Sequence, residues 1–163
     1  MDKTCCFTGH RPGKLAWGGD ERDPRCQALK LELAARLDGI VQTGYRHFIC
    51  GMAEGCDLYF AEAVLELRGR FPDVTLEAAI PCDRQADRWS DAQQRRYEHI
   101  MAECDTVTFV QHQYSSGCMM RRNRYMVDHS SLLLACFDGQ TGGTMNTILY
   151  AQRQGLTVII IDL

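Results

Sequence analysis

Residues 132–144 read LLLACFDGQTGGT, an apolar run that passes directly into a turn of aspartate and glycine. A short, continuous apolar run followed by turn residues is typical of a buried strand. The glycines permit a sharp turn, and Thr144 begins an apolar pattern with helical spacing. This succession predicts a cradle for an anion, because the first amides of a helix and its dipole favour negative charge. The alternative interpretation is an ordinary tight connection between strand and helix.

Two earlier segments repeat this succession. The apolar runs at residues 5–7 and 47–50 also end in turns that contain glycine, and a helical pattern follows each turn further along the chain. The polar turns after the three runs contain Gly9, His10 and Arg11; Gly51, Glu54, Gly55 and Asp57; and Asp138, Gly142, Gly143 and Thr144.

The remaining segments complete an alternation of strands and helices. Helical spacing is found after the cap residues Asp23 and Ser90 and again from Cys118, and apolar runs occur at residues 74–80, 105–110 and 158–161. Right-handed crossovers between successive strands favour a parallel sheet. We therefore predict an α/β fold, a single Rossmann-like three-layer domain over residues 1–163 with a mostly parallel six-stranded sheet and helices on both faces.

Composition excludes several classes of function. The 163-residue chain has a net charge of -3, so a nucleic-acid partner is not expected. The nine cysteines include no CxxC pair and mostly lie in or beside apolar segments, which indicates core thiols in a reducing, cytoplasmic compartment rather than a metal site. No apolar segment approaches the length of a membrane span.

In an open parallel sheet, ligands bind beyond the carboxyl ends of the strands, where the strand order reverses. The three polar turns are therefore expected at one edge of the sheet. Arg11 suits a phosphate through bidentate pairing, or else it is a surface arginine. His10 either contacts the same anion, acts in acid-base chemistry or fixes its own loop.

The carboxylates in these turns have more than one interpretation. Glu54 and Asp57 suit the hydroxyls of a ribose or a water molecule, although Asp57 is equally suited to cap the helix that it precedes. Asp138 has the same ambiguity. Gln85 and Trp89 follow the third strand, and Trp89 either stacks on a base or packs in the core.

The helix that begins near Cys118 carries an inward-facing arginine. Helical spacing places Arg122 and Asn123 on the face that also holds apolar residues, whereas Arg121 and Arg124 face solvent. A buried arginine is costly unless it meets an anion. Either a carboxylate of this chain pairs with Arg122, or Arg122 reaches over the fifth strand toward a ligand phosphate.

Four motifs of the chain form a set: residues 8–12, residues 51–57 with Ala61 and Glu62, Ile80 and Pro81 with Gln85 and Trp89, and residues 138–144. Together they resemble the YpsA-like family of the SLOG superfamily, and the resemblance covers nearly the whole chain. That superfamily also contains the LOG cytokinin-activating phosphoribohydrolases and the DNA-processing protein DprA. The resemblance implies a pocket for a nucleotide or a nucleotide-derived ligand.

The enzymatic branch of the superfamily is only partly matched. LOG enzymes carry an Arg-Lys pair, which aligns with Arg122 and Asn123, and a PGGxGTxxE motif whose glutamate aligns with Thr147. A threonine cannot supply the negative charge of that glutamate. The resemblance therefore implies phosphate binding by Gly142, Gly143, Thr144 and Arg122 without the LOG carboxylate.

We expect a binding protein that recognises a nucleotide-like ligand, as a sensor or regulatory module, and passes its binding state to a protein partner or a second copy of the chain. An alternative is a nucleotide N-glycosidase that uses Glu54 or Asp57 in catalysis. Single-stranded DNA binding, as in DprA, is less consistent with the acidic balance. No metal and no further cofactor is indicated.

Overall fold

The structure is a computed structural model that describes residues 3–163; residues 1 and 2 of the predicted domain lie outside the described part. Six strands alternate with five helices along the chain. The strands are β1 (Thr4–Thr8), β2 (His47–Cys50), β3 (Thr75–Ile80), β4 (Thr106–Phe109), β5 (Leu132–Phe137) and β6 (Thr157–Asp162). The helices are α1 (Pro24–Gln42), α2 (Cys56–Leu67), α3 (Asp91–Glu103), α4 (Cys118–Asp128) and α5 (Gly143–Arg153), and a 3-10 turn spans Pro12–Lys14.

The strands form one sheet in the order β4-β3-β2-β1-β5-β6. Every neighbouring pair is parallel, which confirms the predicted α/β class and makes the sheet wholly parallel. The chain moves outward from β1 to β4 and then returns across the sheet to β5. The strand order therefore reverses between β1 and β5, which is where a ligand site is expected in such a sheet.

Helices cover both faces of this sheet, as predicted. Leu33 of α1, Phe60 of α2 and Ile100 of α3 belong to one buried apolar cluster, whereas Met126 of α4 and Ile148 of α5 belong to a second cluster on the other face. Right-handed crossovers produce this division, because α4 belongs to the connection that reverses direction along the sheet. The helices before the reversal share one face, and α4 and α5 share the other.

The predicted caps place the helix starts correctly. Asp23 accepts a hydrogen bond from the amide of Arg25 at 2.8 Å and precedes the proline that begins α1. Ser90 accepts a hydrogen bond from the amide of Gln93 at 3.3 Å and caps α3. Both side chains satisfy an amide that would lack a partner in the first turn of a helix.

All nine cysteines are free thiols, and eight of them are buried. Burial raises the pKa of Cys5 and Cys50 well above the ordinary value, and it raises the pKa of Cys6 to about 12. These residues act as small core side chains, since the neutral thiol is the form that an apolar interior accepts.

None of the helices in the described part of the chain is long and apolar enough to cross a bilayer. Within residues 3–163, no group of three or more His, Cys, Asp or Glu side chains is arranged to hold a metal ion.

Candidate ligand-binding site

A cavity of about 300 Å³ opens at the reversal between β1 and β5. It brings together residues that lie far apart in the sequence, because the turns after β1 and β5 meet the first turn of α2 and the face of α4. Of the residues predicted from the sequence, the cavity is lined by Gly9, His10, Arg11, Asp57, Arg122, Asn123, Gly143 and Thr144. The other predicted residues lie around it: Gly51, Glu54, Gly55, Asp138 and Gly142.

His10 joins the turns after β1 and β5. Its ring is only 3% exposed, and Nε2 donates to Oδ1 of Asp138 at 2.8 Å. Nδ1 faces the hydroxyl of Thr144 at 3.5 Å. Asp138 also accepts from the amide of Gln140, and this bond together with the one from His10 lowers the pKa of the Asp138 carboxyl. Asp138 is therefore not a helix cap: it holds His10, while Gly142 occupies the N-cap of α5.

Two of the predicted glycines allow the turn after β1 to pack closely on α2. A Cβ atom on Gly9 would lie 2.6 Å from Cβ of Cys56. Gly55 has a φ of +88°, and a Cβ atom there would lie 2.7 Å from the carbonyl oxygen of His10. The amide of Cys56 donates to that same carbonyl at 3.1 Å. The first amide of α2 is thus hydrogen-bonded to the turn after β1 and does not face the cavity as a donor.

Asp57 lies inside the first turn of α2, so its interpretation as the helix cap is wrong: Gly55 occupies the N-cap position. The side chain is buried and Oδ2 accepts from the amide of Ala53 at 3.1 Å. Burial raises the pKa of Asp57, although the positive charge of Arg122 acts in the opposite direction. Asp57 therefore presents to the cavity a carboxyl group that burial makes harder to ionise.

Arg122 is 3% exposed and, among residues 3–163, forms no ion pair with a carboxylate. Its Nη1 donates to the carbonyl of Gly51, and its Nε donates to Oδ1 of Asn123 at 2.8 Å. The guanidinium thus lies at the carboxyl end of β2, and the expectation that it reaches over β5 is wrong. Burial lowers the pKa of Arg122, although the negative charge of Asp57 acts in the opposite direction.

Gly51 makes the position of Arg122 possible. A Cβ atom on Gly51 would lie 2.6 Å from Nη1 of Arg122, which is closer than non-bonded atoms approach. Gly51 does not line the cavity. Its carbonyl accepts a hydrogen bond from the guanidinium, and the absence of a side chain leaves room for that group. The motif at residues 51–57 correctly marks Gly51 as a special position, but the reason, close contact with Arg122, depends on the folded structure.

Lys14 is a cavity residue that the sequence did not reveal. Its Nζ donates to the carbonyl of Thr141 at 3.3 Å, immediately before the N-cap of α5. A Cβ atom on Gly142 would collide with this ammonium group, and Gly142 has a φ of +146° that also favours glycine. No periodicity or motif singles out a lysine in the loop at residues 13–23; only the closeness of β1 and β5 brings it to the site.

A second cavity of about 410 Å³ adjoins the first. Arg11, Ala53 and Met119 line both cavities. Glu54 and Trp89 line the second one, and the indole of Trp89 packs edge-on against Tyr97 with ring centroids 5.2 Å apart. The interpretation of Trp89 as a core residue is confirmed in part, because the ring packs against the buried cluster; its stacking on a base stays a prediction.

Gln85 links the second cavity to Arg122. Its Nε2 donates to the carbonyl of Gly51 at 3.2 Å, and its Oε1 lies 3.4 Å from Nη1 of Arg122.

A charged network holds the loop at residues 13–23 in place. Nη2 of Arg96 donates to Oε1 of Glu21 at 2.9 Å, and Nε of Arg96 donates to Oε2 of Glu62 at 3.0 Å. Arg96 is partly buried, and although burial favours its neutral form, the two carboxylates raise its pKa. The loop that carries Lys14 is thereby anchored to α2 and α3.

The parallel sheet, its reversal between β1 and β5 and the cavity at that edge define a Rossmann-like α/β protein with a candidate small-molecule site. The YpsA family model, described as the YspA SLOG family, matches residues 5–156. The chain therefore belongs to this family, as the motifs indicated.

Relatives of similar length support the same conclusion. A UPF0398 protein of Bacillus pumilus (strain SAFR-032) is 29% identical over 144 residues, which cover 87% of this chain and 77% of the relative. A UPF0398 protein of Bacillus thuringiensis (strain Al Hakam) is 26% identical over 154 residues, covering 93% of this chain and 83% of the relative.

Two solved structures share the fold. DNA processing protein A (DprA) of Streptococcus pneumoniae matches with a TM-score of 0.62 at 15% identity, over 98% of this chain and 50% of that protein. DprA of Helicobacter pylori, whose structure concerns a single-stranded DNA binding mode, matches with a TM-score of 0.65 at 14% identity, over 98% of this chain and 65% of that protein. The chain thus spans half to two thirds of these proteins, and the likeness concerns the fold.

Thr147, which aligns with the LOG glutamate, is buried in α5. Its hydroxyl donates to the carbonyl of Gly143 at 2.9 Å, a bond within the helix.

Proposed function

We propose that this protein binds a nucleotide or a nucleotide-derived ligand at the carboxyl edge of its sheet, as a sensor or regulatory module. The observation that carries this proposal is the charge of the first cavity. Arg11 and Arg122 both line it, so two guanidinium groups face the same cavity. Two like charges beside one cavity repel each other until an anion lies between them.

One carboxyl group, Asp57, lines the cavity against three basic side chains, so the cavity stays positive even when Asp57 is ionised. Burial raises the pKa of Asp57 and so works against its negative charge. Gly143 and Thr144 add the amino end of α5, where backbone amides favour phosphate. The site therefore suits a phosphate better than it suits a neutral ligand.

The second cavity supports a nucleoside attached to that phosphate. Glu54 offers a carboxylate to ribose hydroxyls, and Trp89 offers an aromatic surface to a base. Apolar and aromatic walls with a few polar groups are usual in small-molecule sites. Nine free thiols fit a reducing compartment, so we propose that this binding takes place in the cytoplasm.

Calorimetric titration with AMP and GMP tests the proposal on two variants of one residue. A Cβ atom on Gly143 meets nothing within 4 Å, so Gly143→Ala fits, and Gly143→Asp extends from the same unobstructed position. The aspartate adds a negative charge at the amino end of α5. We expect it to weaken binding at least tenfold more than the alanine does, a difference of about 1.4 kcal/mol.

Arg122→Met is the second arm of this experiment, with exposed Arg121→Met as its control. We expect loss of binding in Arg122→Met alone, with thermal unfolding used to verify that both variants are folded. Equal affinities in Gly143→Asp and Gly143→Ala, together with an unaffected Arg122→Met, would contradict the proposed site.

A nucleotide N-glycosidase is the second candidate, and Asp57 is the observation in its favour. A buried carboxyl with a raised pKa at a cavity wall is suited to general acid catalysis. Incubation with nucleoside monophosphates and with NAD, followed by chromatography, measures free base. Release that disappears in Asp57→Asn supports the enzyme, and no release leaves binding as the function.

The fold shared with DprA makes single-stranded DNA a third ligand to include. The net charge of -3 argues against it, because such binding depends on clustered positive charge. A gel shift that is absent, or that does not respond to salt, excludes it.

A further inference from the structure

We propose that the ligand carries two adjacent phosphates, and that Lys14 is the residue that recognises the second one. This inference rests on the proposed function and specifies its ligand as a nucleoside diphosphate or a compound built on one. It is supported by the spacing of the positive groups, by the charge of the cavity and by the bond that Lys14 now makes.

The positive groups of the cavity lie at the ends of two strands that are not neighbours. Arg122 contacts the carbonyl of Gly51 after β2, whereas Lys14 contacts the carbonyl of Thr141 after β5. β1 lies between those strands, so the ends of β2 and β5, from which the two turns start, are two strand spacings, or about 10 Å, apart.

That separation exceeds the reach of a single phosphate. Charge-assisted hydrogen bonds measure about 2.8 Å, so about 4 Å remains between the outermost acceptor oxygens of an anion that bonds to both ends. The oxygens of one phosphate lie closer together than this, whereas those of two linked phosphates extend over it. One phosphate then lies between Arg11 and Arg122, and the other lies at the amino end of α5 beside Lys14.

The charges of the cavity match the same ligand. Three basic side chains line it, Arg11, Lys14 and Arg122. The carboxylate of Asp138 is engaged with His10, and Asp57 is the one carboxyl group among the lining residues. Three basic side chains against one carboxyl group leave the cavity positive, and this suits a multiply charged anion such as a diphosphate.

Lys14 is free to change partners. It is exposed, and its 3.3 Å bond to the Thr141 carbonyl is longer than the 2.7–2.9 Å typical of a charged donor with a charged acceptor. A phosphate oxygen at the amino end of α5 offers the ammonium group a stronger acceptor than this carbonyl. The nucleoside lies beyond Arg11, because that residue borders both cavities.

The test compares AMP with ADP, and GMP with GDP, by calorimetry on the full chain. We expect the diphosphate of the preferred base to bind at least tenfold more tightly than its monophosphate. Lys14→Gln is expected to reduce this ratio to about twofold or less. Lys3→Gln is the matched control: it removes the same charge at the opposite end of β1 and should keep the ratio of the unmodified protein.

The outcomes separate this inference from the proposed function. If mono- and diphosphates bind with equal affinity, and Lys14→Gln does not change the ratio, the second phosphate site is wrong while nucleotide binding stands. If none of the four nucleotides and no inorganic pyrophosphate binds, the proposed function itself is overturned. Loss of the ratio in Lys3→Gln as well would attribute the effect to overall charge and contradict the role of Lys14.

Discussion

Glu77 shows how one residue connects three strands and a helix outside the candidate site. On β3, its carboxylate accepts hydrogen bonds from Thr108 of β4 at 2.9 Å and from Tyr125 of α4 at 2.6 Å, and it pairs with His47 of β2 at 2.8 Å. Burial favours the neutral acid, but these three partners outweigh it and lower the pKa of Glu77 to about 2.

A carboxylate with a pKa below its unfolded value stabilises the fold above the unfolded pKa and loses this contribution as the pH falls through the folded pKa. The window for Glu77 therefore lies between about pH 4.5 and about pH 2. We expect Glu77→Gln to reduce the free energy of unfolding by about 1 to 2 kcal/mol at neutral pH. Urea unfolding at several pH values measures this.

The difference in the free energy of unfolding between the unmodified protein and Glu77→Gln should become smaller as the pH falls. Below about pH 2 the Glu77 carboxyl group is protonated and therefore uncharged, like the glutamine amide. The two free energies of unfolding should then approach each other. If the difference in the free energy of unfolding stays constant from neutral pH down to about pH 2, the stabilising role of the ionised Glu77 carboxylate is contradicted.

At the scale of single residues, the sequence predicted identities better than roles. His10, Asp57 and Arg122 lie where a site residue should lie, but Asp138 holds His10 rather than capping α5, and Gly51 receives Arg122 rather than a ligand. Such roles depend on contacts between turns that follow different strands. Local sequence patterns contain no information about those contacts until the strand order is known.

At the scale of elements, α1 contains a glycine that its helix does not need. Gly39 is exposed within α1, and a Cβ atom there would meet nothing within 4 Å. Glycine in a helix interior costs roughly 0.5 to 1 kcal/mol relative to alanine because of its backbone freedom in the unfolded chain. Gly39→Ala is therefore expected to raise the free energy of unfolding by that amount, measured by thermal or urea unfolding.

Gly44, just beyond α1, is the control for this prediction. Its φ is +105°, where a side chain strains the backbone, although the nearest atoms are no closer than 3.6 Å. Gly44→Ala should therefore destabilise the protein. If both substitutions change stability in the same direction, the effect comes from something other than backbone conformation.

The helices α2 and α5 show that a glycine-turn motif does not determine whether the first amides of the helix face the cavity. Both follow a strand and a glycine turn, so their sequences predict the same kind of anion cradle. In the structure, the first amide of α2 is bonded to the His10 carbonyl, whereas Gly143 and Thr144 of α5 border the cavity. The difference comes from close packing of the β1 turn on α2, which neither segment encodes alone.

At the scale of the whole molecule, alternation of strands and helices was sufficient to predict the fold class and the edge at which a site should lie. The order of the strands was not available from that alternation. It is this order that places Lys14 beside Thr141 and brings Arg122 to the end of β2, so one cavity residue was missed and another was oriented wrongly.

Alkylation of the buried cysteine thiols can be used to detect local unfolding of the protein. Alkylating reagents attack the thiolate, so a thiol that is both shielded and held neutral reacts only after the surrounding structure separates. We expect mass spectrometry to detect modification of at most the partly exposed Cys104 in the native protein, and of all nine cysteines in denaturant.

The rate at which each remaining cysteine is alkylated then measures how often its region opens, without any added label. Cys5 and Cys6 report on the central strand, and Cys56 reports on the start of α2 beside the candidate site. Rapid modification of Cys5 under native conditions would contradict a closed core. A ligand that slows modification at Cys56 more than at Cys5 would show directly where on the molecule it binds.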